Sequence, residues 1–432
     1  MSTPISQSNR IAAIDILRGI ALLGILLMNI PGFSMPKYFS ESFRSDSQNI
    51  NFWTQAIIDV LFEGKMRALF SMIFGAGIIL FTVNKENSGV SSAALFYRRM
   101  GWLIVFGLIH SHVLLWDGDI LYFYGVIGML AFLFRKMNPM HLIMAIPLVA
   151  IVEFTLSTYL YQEIREKRLA YVEVVVIQKN NQILNEDQKQ VLKDWREVEL
   201  DFIPNKEDVA EHTRKMKSDY AAVASYIGED SWEGQTVYLI YAIWDPLALM
   251  LLGIALFKLG YFSLKWKISD YKKVAVVGYS TGLPLVIFNF YYNFLSSPNH
   301  AADLLYLETH SINWLELIYP VQRICLVMAH SSLILLAISS GWFVSLFNRL
   351  RAVGQMAFTN YIVQTLLCTF IFYGYGLNYY AELEYYKIYY IVFAIWALQI
   401  FYSRIWLTYF LFGPLEWMWR SLMYWKVQPF RR

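Results

Sequence analysis

The sequence predicts an all-α, polytopic membrane protein with about ten transmembrane helices and one long extracytoplasmic helical loop. Of its 432 residues, 57% are hydrophobic and only 16% are charged, whereas a soluble chain of this length carries about 25% charged residues. The missing charges correspond to several apolar blocks of about 20 residues, which is the length that a helix needs to cross a bilayer. Both observations indicate a chain that lies mostly in lipid.

Ten apolar segments are predicted to span the membrane. The first begins near Ile11, contains Asp15 and Arg18, and lacks a small-residue cleavage pattern after it. We therefore predict a retained span and not a removed signal peptide. The predicted spans cover residues 11–30, 66–83, 99–116, 119–134, 140–160, 237–257, 274–294, 315–339, 355–376 and 386–411.

The basic residues predict the orientation of these spans. If the N-terminus is cytoplasmic, seventeen Lys and Arg residues lie in the inside segments, and only Lys37 and Arg44 lie in the short outside loops. This is the positive-inside pattern, so both termini are predicted to be cytoplasmic. The inside residues are Arg10, Lys85, Arg98, Arg99, Arg135, Lys136, Lys258, Lys265, Lys267, Lys272, Lys273, Arg349, Arg351, Arg420, Lys426, Arg431 and Arg432.

One long segment, 161–236, separates the fifth and sixth predicted spans. It is acidic, with 11 Lys and Arg against 16 Asp and Glu residues. Its stretch NEDQKQVLKDWREVELDF has helical periodicity. The apolar residues near one face of that helix are Val191, Leu192, Trp195, Val198 and Phe202. We predict a helical cap, with a lid or a partner-binding role as the alternative. The chain is thereby divided into an N-terminal five-span bundle (1–160), this extracytoplasmic acidic loop (161–236) and a C-terminal five-span domain (237–432).

The first span carries a polar stripe. In IDILRGIALLGILLMNI, the side chains of Asp15, Arg18 and Asn29 share one face at 100° per residue. Gly19 lets another backbone approach close to that face. The stripe has two interpretations. It is either an ion pair plus an asparagine that joins helices, or a polar track through the membrane, because ionisable groups within spans usually face a bundle interior.

The segment FEGKMR (62–67) interrupts the apolar run between Asn51 and Val83. We predict an outer interfacial or re-entrant helix over 52–65 that leads into the second span. Glu63 and Arg67 are spaced i,i+4, so we expect them to pair on one helical face.

The stretch GLIHSHVLLWDGDIL (107–121) forms the joint between the third and fourth spans. Asp117 is explained as a turn residue, and Asp119 as a cap of the fourth helix. His110 and Asp117 share a face but lie about 10 Å apart along a helix axis, and Asp119 is no easier to reach. We therefore expect the partner of His110 to come from another helix. His112 lies about 200° around from His110, so both cannot face one cavity.

Further polar residues are predicted at the same outer level. The sixth span contains Asp245 followed by a proline, and the eighth contains Glu316 and Arg323. Together with the residues above, they predict a hydrated cavity that opens to the outside and has the hairpin as one wall. The predicted members are Asn29, Glu63, Arg67, His110, Asp117, Asp119, Asp245, Glu316 and Arg323.

Several motifs over nearly the whole chain resemble one family of bacterial membrane proteins. They are IDILRGIALLGILLMNI, LFSMIFGAGIILF (69–81), RRMGWLIVFGLIHSHVLLWDGDILYFYGVIGML (98–130), GQMAFTNYIVQT (354–365) and FGPLEWMWRSLMY (412–424). In this order they are similar to the YeiB-like proteins, which are defined mainly by domain of unknown function 418. The resemblance implies a bacterial inner-membrane protein.

The first span also resembles that of heparan-alpha-glucosaminide N-acetyltransferase, a member of a transmembrane acyltransferase superfamily. This more distant resemblance implies transfer of an acyl group from cytoplasmic acyl-CoA to an acceptor, often a sugar, across the membrane. It also implies that Asn29 is an active-site asparagine. The key histidine of that enzyme follows the helix shortly, but here no histidine occurs between Pro31 and Trp53.

The first functional hypothesis is therefore a transmembrane acyltransferase-like enzyme. A histidine is suited to act as a base near neutral pH, and we assign that role to His110. Asn29 would hold the thioester carbonyl or the acceptor, and Glu63 or Asp119 would orient the imidazole. The predicted acceptor-binding residues are Arg67, Asp117, Asp245, Glu316 and Arg323. The phosphates of acyl-CoA would bind Arg18, Arg98 and Arg99, for which topology anchoring is the alternative.

Two other functions stay open at this point. A proton-coupled carrier would also use an intramembrane polar track, although no inverted repeat is evident. A structural or signalling protein would use the polar groups only to join helices. The sequence contains no phosphate loop, Rossmann fingerprint or zinc-spacing motif. We expect a lipid environment, no nucleic-acid partner and no metal, and we leave a homo-oligomer open.

Overall fold

A computed structural model describes residues 11–36, 39–86, 92–202 and 205–432. These residues form α-helices joined by short turns, with two short 3₁₀-helices at Phe39–Ser42 and Phe134–Lys136 and no β-sheet in the described ranges. The α-helices are α1 Ala12–Ser34, α2 Ile50–Leu61, α3 Lys65–Glu86, α4 Ser92–His112, α5 Leu121–Leu133, α6 Pro139–Lys179, α7 Glu186–Phe202, α8 Lys206–Met216, α9 Tyr220–Gln235, α10 Leu239–Ala242, α11 Trp244–Lys258, α12 Ile268–Ser296, α13 His300–Thr309, α14 Leu315–Ser339, α15 Val344–Gln355, α16 Ala357–Phe372, α17 Tyr385–Tyr409 and α18 Pro414–Tyr424.

The predicted all-α membrane class is confirmed. In the described part of the chain, eight helical segments are long and apolar enough to cross a membrane. The predicted fourth and ninth spans are also helices, but α5 has 13 residues and α16 has 16, fewer than the roughly 20 of a full crossing. The eight segments are Ala12–Ser34, Ile50–Val83, Ser92–His112, Pro139–Lys179, Leu239–Lys258, Ile268–Ser296, Leu315–Ser339 and Tyr385–Tyr409.

Helix α1 lies at the centre of the bundle. Most of its residues are buried, and it packs against α3, α15, α16 and α17. The close approach predicted at Gly19 is present, because a Cβ atom there would lie 2.2 Å from the carbonyl oxygen of Leu350. A Cβ on Gly354 would lie 1.9 Å from the carbonyl oxygen of Asp15. Only glycine at these two positions permits the contact between α1 and α15.

The segment 161–236 is helical, as predicted. Helix α6 runs without interruption from Pro139 to Lys179 and so crosses the predicted boundary at residue 160. Trp195 and Val198 of α7 are buried against Leu307. The side chain of Phe202, predicted on the same face, lies outside the described residues, as do Arg10, Lys37 and the side chain of Lys85. The division of the chain into three parts remains a prediction.

Helix α9 packs over the end of α4 and the turn between α4 and α5. The Tyr220 hydroxyl donates to the Val113 carbonyl oxygen (2.8 Å), and Gln235 Nε2 donates to Ser111 Oγ (2.8 Å). The end of the bundle that contains this turn (113–120) is named the Asp117 end. The opposite end, where Asp15, Arg99 and Arg420 lie together, is named the Asp15 end.

Candidate functional site

A buried hydrogen-bonded network is centred on His110, in the last turn of α4. Its Nδ1 lies 2.7 Å from Asp119 Oδ1, and its Nε2 lies 2.8 Å from Thr365 Oγ1 on α16. His110 is 0% exposed, Thr365 1% and Asp119 3%. With Asp119 ionised, Nδ1–H donates to the carboxylate, which leaves Nε2 to accept from the threonine hydroxyl. This is the arrangement of a base whose ring is held by a carboxylate.

The turn between α4 and α5 explains how Asp119 reaches His110. Helix α4 ends at His112, and Leu115, with φ of 58°, lets the chain reverse within a few residues. Asp119 Oδ2 then accepts from the Tyr122 backbone N–H (2.8 Å) at the start of α5. One carboxylate therefore caps a helix through one oxygen and holds an imidazole through the other.

Gly107 makes room for this carboxylate. A Cβ atom on Gly107 would lie 2.3 Å from the Tyr122 backbone nitrogen and 2.7 Å from Asp119 Oδ2. Any side chain at this position of α4 would therefore displace the first turn of α5. The spacing between the two helices depends on a glycine one turn before His110.

The expectation that Asp119 is no easier to reach than Asp117 is wrong. It was based on rise along a continuing helix, whereas the chain turns back and brings Asp119 beside the last turn of α4. A partner from another helix is present, as expected, but it is Thr365 and not Asn29, Glu63 or Arg67. His112 faces a different neighbour, with Nε2 at 3.1 Å from Gln235 Oε1.

A cavity of about 220 Å³ extends from the Asp15 end toward this network. Along α1 its walls run from Ile11 to Leu22, a length of about 16 Å at 1.5 Å per residue. The side walls are mostly apolar. The residues that form them include Phe70, Ile73, Phe74, Ile78, Phe81, Phe96, Leu103, Leu121, Phe358 and Trp419.

Three arginines, Arg18, Arg99 and Arg420, line the Asp15 end of the cavity, together with two carboxylates. Asp15 accepts from Arg18 (3.0 Å) and from Gln355 Nε2 (3.1 Å). The Arg99 guanidinium lies over the Trp419 ring, 4.6 Å from its centroid. Because the cations outnumber the carboxylates, this end of the cavity attracts anions.

Glu416, the second carboxylate, is turned toward the start of α16. It accepts from the backbone N–H groups of Phe358 (2.7 Å) and Thr359 (3.0 Å) and from Thr359 Oγ1 (2.6 Å). Burial raises the pKa of Glu416, against the opposing effect of these hydrogen bonds. Glu416 of α18 thus caps the helix that carries Tyr361 and Thr365.

Tyr361 separates the cavity from His110. It lines the inner end of the cavity with Ile120 and Tyr124. Its ring lies edge-on to the imidazole, with centroids 4.9 Å apart. Thr365 follows four residues later on the same face of α16. The histidine network therefore lies directly behind one tyrosine at the inner end of the cavity.

Two of the three arginines that were predicted to bind phosphates lie at this cavity. Arg18 and Arg99 line the cavity, but Arg98 does not, because its Nη1 donates to the Met423 carbonyl oxygen (3.1 Å). Sequence reasoning missed Arg420, although it lies in the FGPLEWMWRSLMY motif. It also missed Thr365, the last residue of GQMAFTNYIVQT. Neither residue has a local pattern that marks it, since both are defined by contacts far along the chain.

A second polar cluster lies where α2 meets α3. Arg323 pairs with Asp245, and the Tyr319 hydroxyl donates to Glu63 Oε1 (3.1 Å). Gly64, with φ of 69°, separates the two helices and packs against Tyr319 and Arg323. The expected pairing of Glu63 with Arg67 on one helical face is wrong, because α2 ends at Leu61 and α3 begins only at Lys65.

The predicted outer cavity does not gather its nine residues. None of them lines the cavity described above. Asn29 is half-buried on α1, Asp117 is exposed and accepts from the Gly118 N–H (2.8 Å), and Glu316 is exposed. The His110 network and the Arg323 cluster are separate, and Arg67, in the first turn of α3, interacts electrostatically with Asp245, Tyr319 and Glu63 of the Arg323 cluster. Helical periodicity predicted that these residues lie at a similar depth in the membrane. It does not determine which faces of the helices point toward one another.

Comparison with known proteins gives relatives over the full length. Residues 256–426 match the family model described as protein of unknown function (DUF418). The chain is 28% identical to the uncharacterized protein YxaH of Bacillus subtilis (strain 168), over 99% of this chain and 97% of that protein. It is 27% identical to the uncharacterized protein YeiB of Escherichia coli (strain K12), over 96% of both. No solved structure matches the chain.

Proposed function

We propose that this chain, which is similar to the YeiB-like DUF418 membrane proteins, is a transmembrane acyltransferase. Acyl-CoA is the donor, and a small molecule with a hydroxyl or amine is the acceptor. The Asp15 end faces the cytoplasm of a bacterial cell, as the basic residues at that end favour. The membrane is then the inner membrane, with both termini on the cytoplasmic side.

One observation carries the proposal: a mostly apolar cavity has three arginines at one end and a histidine network behind the other. An acyl-CoA is a long molecule with phosphates at one end and a thioester at the other. At about 220 Å³ the cavity is smaller than the roughly 300–1,000 Å³ of typical ligand pockets. We therefore place only the acyl-pantetheine arm inside it, with the phosphates at Arg18, Arg99 and Arg420.

His110 supplies the base in this proposal, and Asp119 holds its ring. The imidazole accepts a proton from the attacking hydroxyl, whose oxygen forms a bond to the thioester carbonyl carbon. The C–S bond then breaks, and the CoA sulfur takes the proton back from the imidazolium. Glu63 is assigned no part in this step, because its carboxylate accepts from Tyr319 in the other cluster.

Asn29 and the second cluster keep their predicted roles as parts of the proposal. The half-buried amide of Asn29 would bind the thioester carbonyl or the acceptor. The charged groups near the α2–α3 break, Arg67, Asp245 and Arg323, would contact a polar acceptor. Asp117 and Glu316 are given no such role, because both are exposed and neither adjoins the histidine network.

The test uses purified protein in lipid nanodiscs with acetyl-CoA labelled on the acetyl group. We expect saturable binding and acetyl release, with release lost in His110→Ala and Asn29→Ala. Arg420→Gln should weaken binding about 10- to 100-fold, because a charge-assisted hydrogen bond contributes roughly 1.5–3 kcal/mol. Arg98→Gln is the matched control and should bind as the native chain does. If folded native protein binds neither acetyl-CoA nor longer acyl-CoAs, the enzyme proposal fails.

A proton-coupled carrier is the second candidate, and the break between α2 and α3 favours it. Carriers place their substrate and coupling-ion sites at interrupted helices near the middle of the membrane. The Arg323–Asp245 pair lies beside such a break. A carrier binds its substrate from both sides, whereas the enzyme binds acyl-CoA from the Asp15 end only. Binding to nanodiscs and to sealed vesicles of known orientation distinguishes the two functions.

A further inference from the structure

Three buried residues from three segments lie in the order carboxylate, imidazole, hydroxyl. Asp119 Oδ1 contacts His110 Nδ1 at 2.7 Å, and His110 Nε2 contacts Thr365 Oγ1 at 2.8 Å. In this order the imidazole is positioned to take the hydroxyl proton, and the carboxylate stabilises the imidazolium that forms. While Nε2 is hydrogen-bonded to the Thr365 hydroxyl, an outside acceptor reaches His110 only by displacing that hydroxyl. The group that His110 is placed to activate is therefore the threonine.

The approach to Thr365 comes from the cavity. Tyr361, one helical turn earlier on α16, lines the inner end of the cavity and touches the His110 ring. Ile120, the neighbour of Asp119, lines the same end. A rotation of the Tyr361 side chain would join the cavity to the threonine hydroxyl. Cys368, another nucleophilic side chain on this part of α16, is fully buried.

We propose that Thr365 is the nucleophile that accepts the acyl group in a two-step transfer. The Tyr361 side chain separates the cavity from this nucleophile, and its rotation opens the passage. This rests on the proposed acyltransferase function and deepens it. In the first step His110 takes the Thr365 proton, the threonine oxygen bonds to the thioester carbonyl carbon, and the C–S bond breaks. The CoA sulfur leaves with the proton from the imidazolium. In the second step His110 takes the proton of the acceptor, and the acceptor oxygen or nitrogen bonds to the acyl carbonyl carbon. The bond from that carbon to the Thr365 oxygen breaks, and the imidazolium returns the proton to the Thr365 oxygen.

The experiment supplies labelled acetyl-CoA to full-length protein in nanodiscs without an acceptor. We expect about one acetyl group per chain, on the peptide that contains Thr365. The linkage should be an ester, stable to neutral hydroxylamine and cleaved by alkaline hydroxylamine. Thr365→Ser should keep the label, and Thr365→Val should lose it and lower the rate of transfer at least about 1000-fold.

The controls separate chemistry from packing. Thr369→Val changes a buried threonine one turn further along α16, which bonds to the Leu366 carbonyl oxygen and not to His110. It should keep the label. If Thr365→Val does not fold, the labelled peptides of the native chain and of Thr365→Ser decide the question.

Two results would overturn the inference, and they are distinguishable. Acetyl-CoA turnover with label on Cys368 or His110, or with no label and an active Thr365→Val variant, excludes the threonine and leaves the proposed function in place. Failure of the native chain to bind acetyl-CoA or any longer acyl-CoA removes both. Label on the Thr365 peptide, lost only in Thr365→Val, supports the two-step transfer.

Discussion

Two buried polar clusters of the bundle, one centred on His110 and one on Arg323, differ in how completely their polar atoms are hydrogen-bonded. In the His110 network both ring nitrogens and both carboxylate oxygens have partners within 2.8 Å. In the Arg323 cluster the guanidinium pairs with Asp245, but the buried Nε atom of Arg323 has no hydrogen-bond partner among the described residues. The first cluster is closed by a tight turn, and the second lies beside a helix break.

This difference shows what each cluster is suited to do. A fully hydrogen-bonded network holds its members in one geometry, which a base and a nucleophile require. A charged cluster with an unused donor beside an interrupted helix is suited to bind a polar ligand or to rearrange. In the proposed function, the chemistry is therefore assigned to His110 and polar-ligand binding to Arg323. The following substitutions test that separation.

Asp245→Ala should have the largest effect on stability. It leaves the Arg323 guanidinium, which is 2% exposed, without its counter-charge, and such a loss costs about 3–5 kcal/mol. The measurement is reversible unfolding in mixed micelles. The double variant Asp245→Leu with Arg323→Met should recover most of the loss, since an apolar pair replaces the ions. An equal loss in single and double variants would show that packing, not charge, explains the effect.

Asp119→Ala should cost less, about 2–4 kcal/mol. It leaves His110 Nδ1 buried without a hydrogen-bond partner, which costs about 1–3 kcal/mol of stability. It also removes the cap of α5, which costs about 0.5–2 kcal/mol. Asp117→Ala, two residues earlier in the same turn, is the control and should cost less than about 1 kcal/mol because Asp117 is exposed. Equal losses from the two aspartates would contradict the distinct role of the network.

Gly107→Ala should cost about 1–3 kcal/mol through overpacking. The new methyl group would press on the Tyr122 backbone and on Asp119, so acyl release should fall with stability. Gly101→Ala on the same helix is the matched control, since a Cβ there meets nothing within 4 Å. The control should be neutral or slightly stabilising because alanine favours helix. Loss of activity in Gly101→Ala alone would refute the argument.

Asp208→Asn, in the helical segment outside both clusters, should have the smallest effect. Burial opposes ionisation of Asp208, but hydrogen bonds from Arg196 and the Asn205 N–H outweigh it and lower the pKa of the carboxyl. Because the pKa is lower in the folded state, the ionised carboxyl stabilises the fold at pH values above the unfolded pKa of about 3.9. This stabilisation is lost as the pH falls through the folded pKa. At pH 7 the free energy of unfolding of the native chain should exceed that of the variant by about 0.2–1 kcal/mol. Thermal unfolding between pH 7 and 3 should show this margin constant above about pH 5 and shrinking as the pH falls below about 4. A margin that grows on acidification would contradict the assignment.

Particular residues show which parts of the site could be predicted from the sequence. Periodicity and apolar length predicted α1, α4 and α14 closely, and the resemblance predicted a YeiB-like membrane protein. His110 and Asp119 were identified as unusual because charged side chains are expensive in apolar helices. Their mutual contact was missed, because helix geometry says nothing about where a chain goes after a turn. Thr365 and Arg420 were missed because neither is unusual by itself.

The sequence by itself determined the class of the protein: apolar helices of bilayer length, a helical segment over 161–236, and a short set of polar residues within the spans. Only the tertiary structure decided which of these residues meet. His110 and Thr365 are 255 positions apart and still form one hydrogen bond. Helix formation depends on residues three and four apart, which the sequence displays directly. Helix packing depends on rotation and close approach between distant segments, as at Gly19 with Gly354, and local periodicity leaves these undetermined.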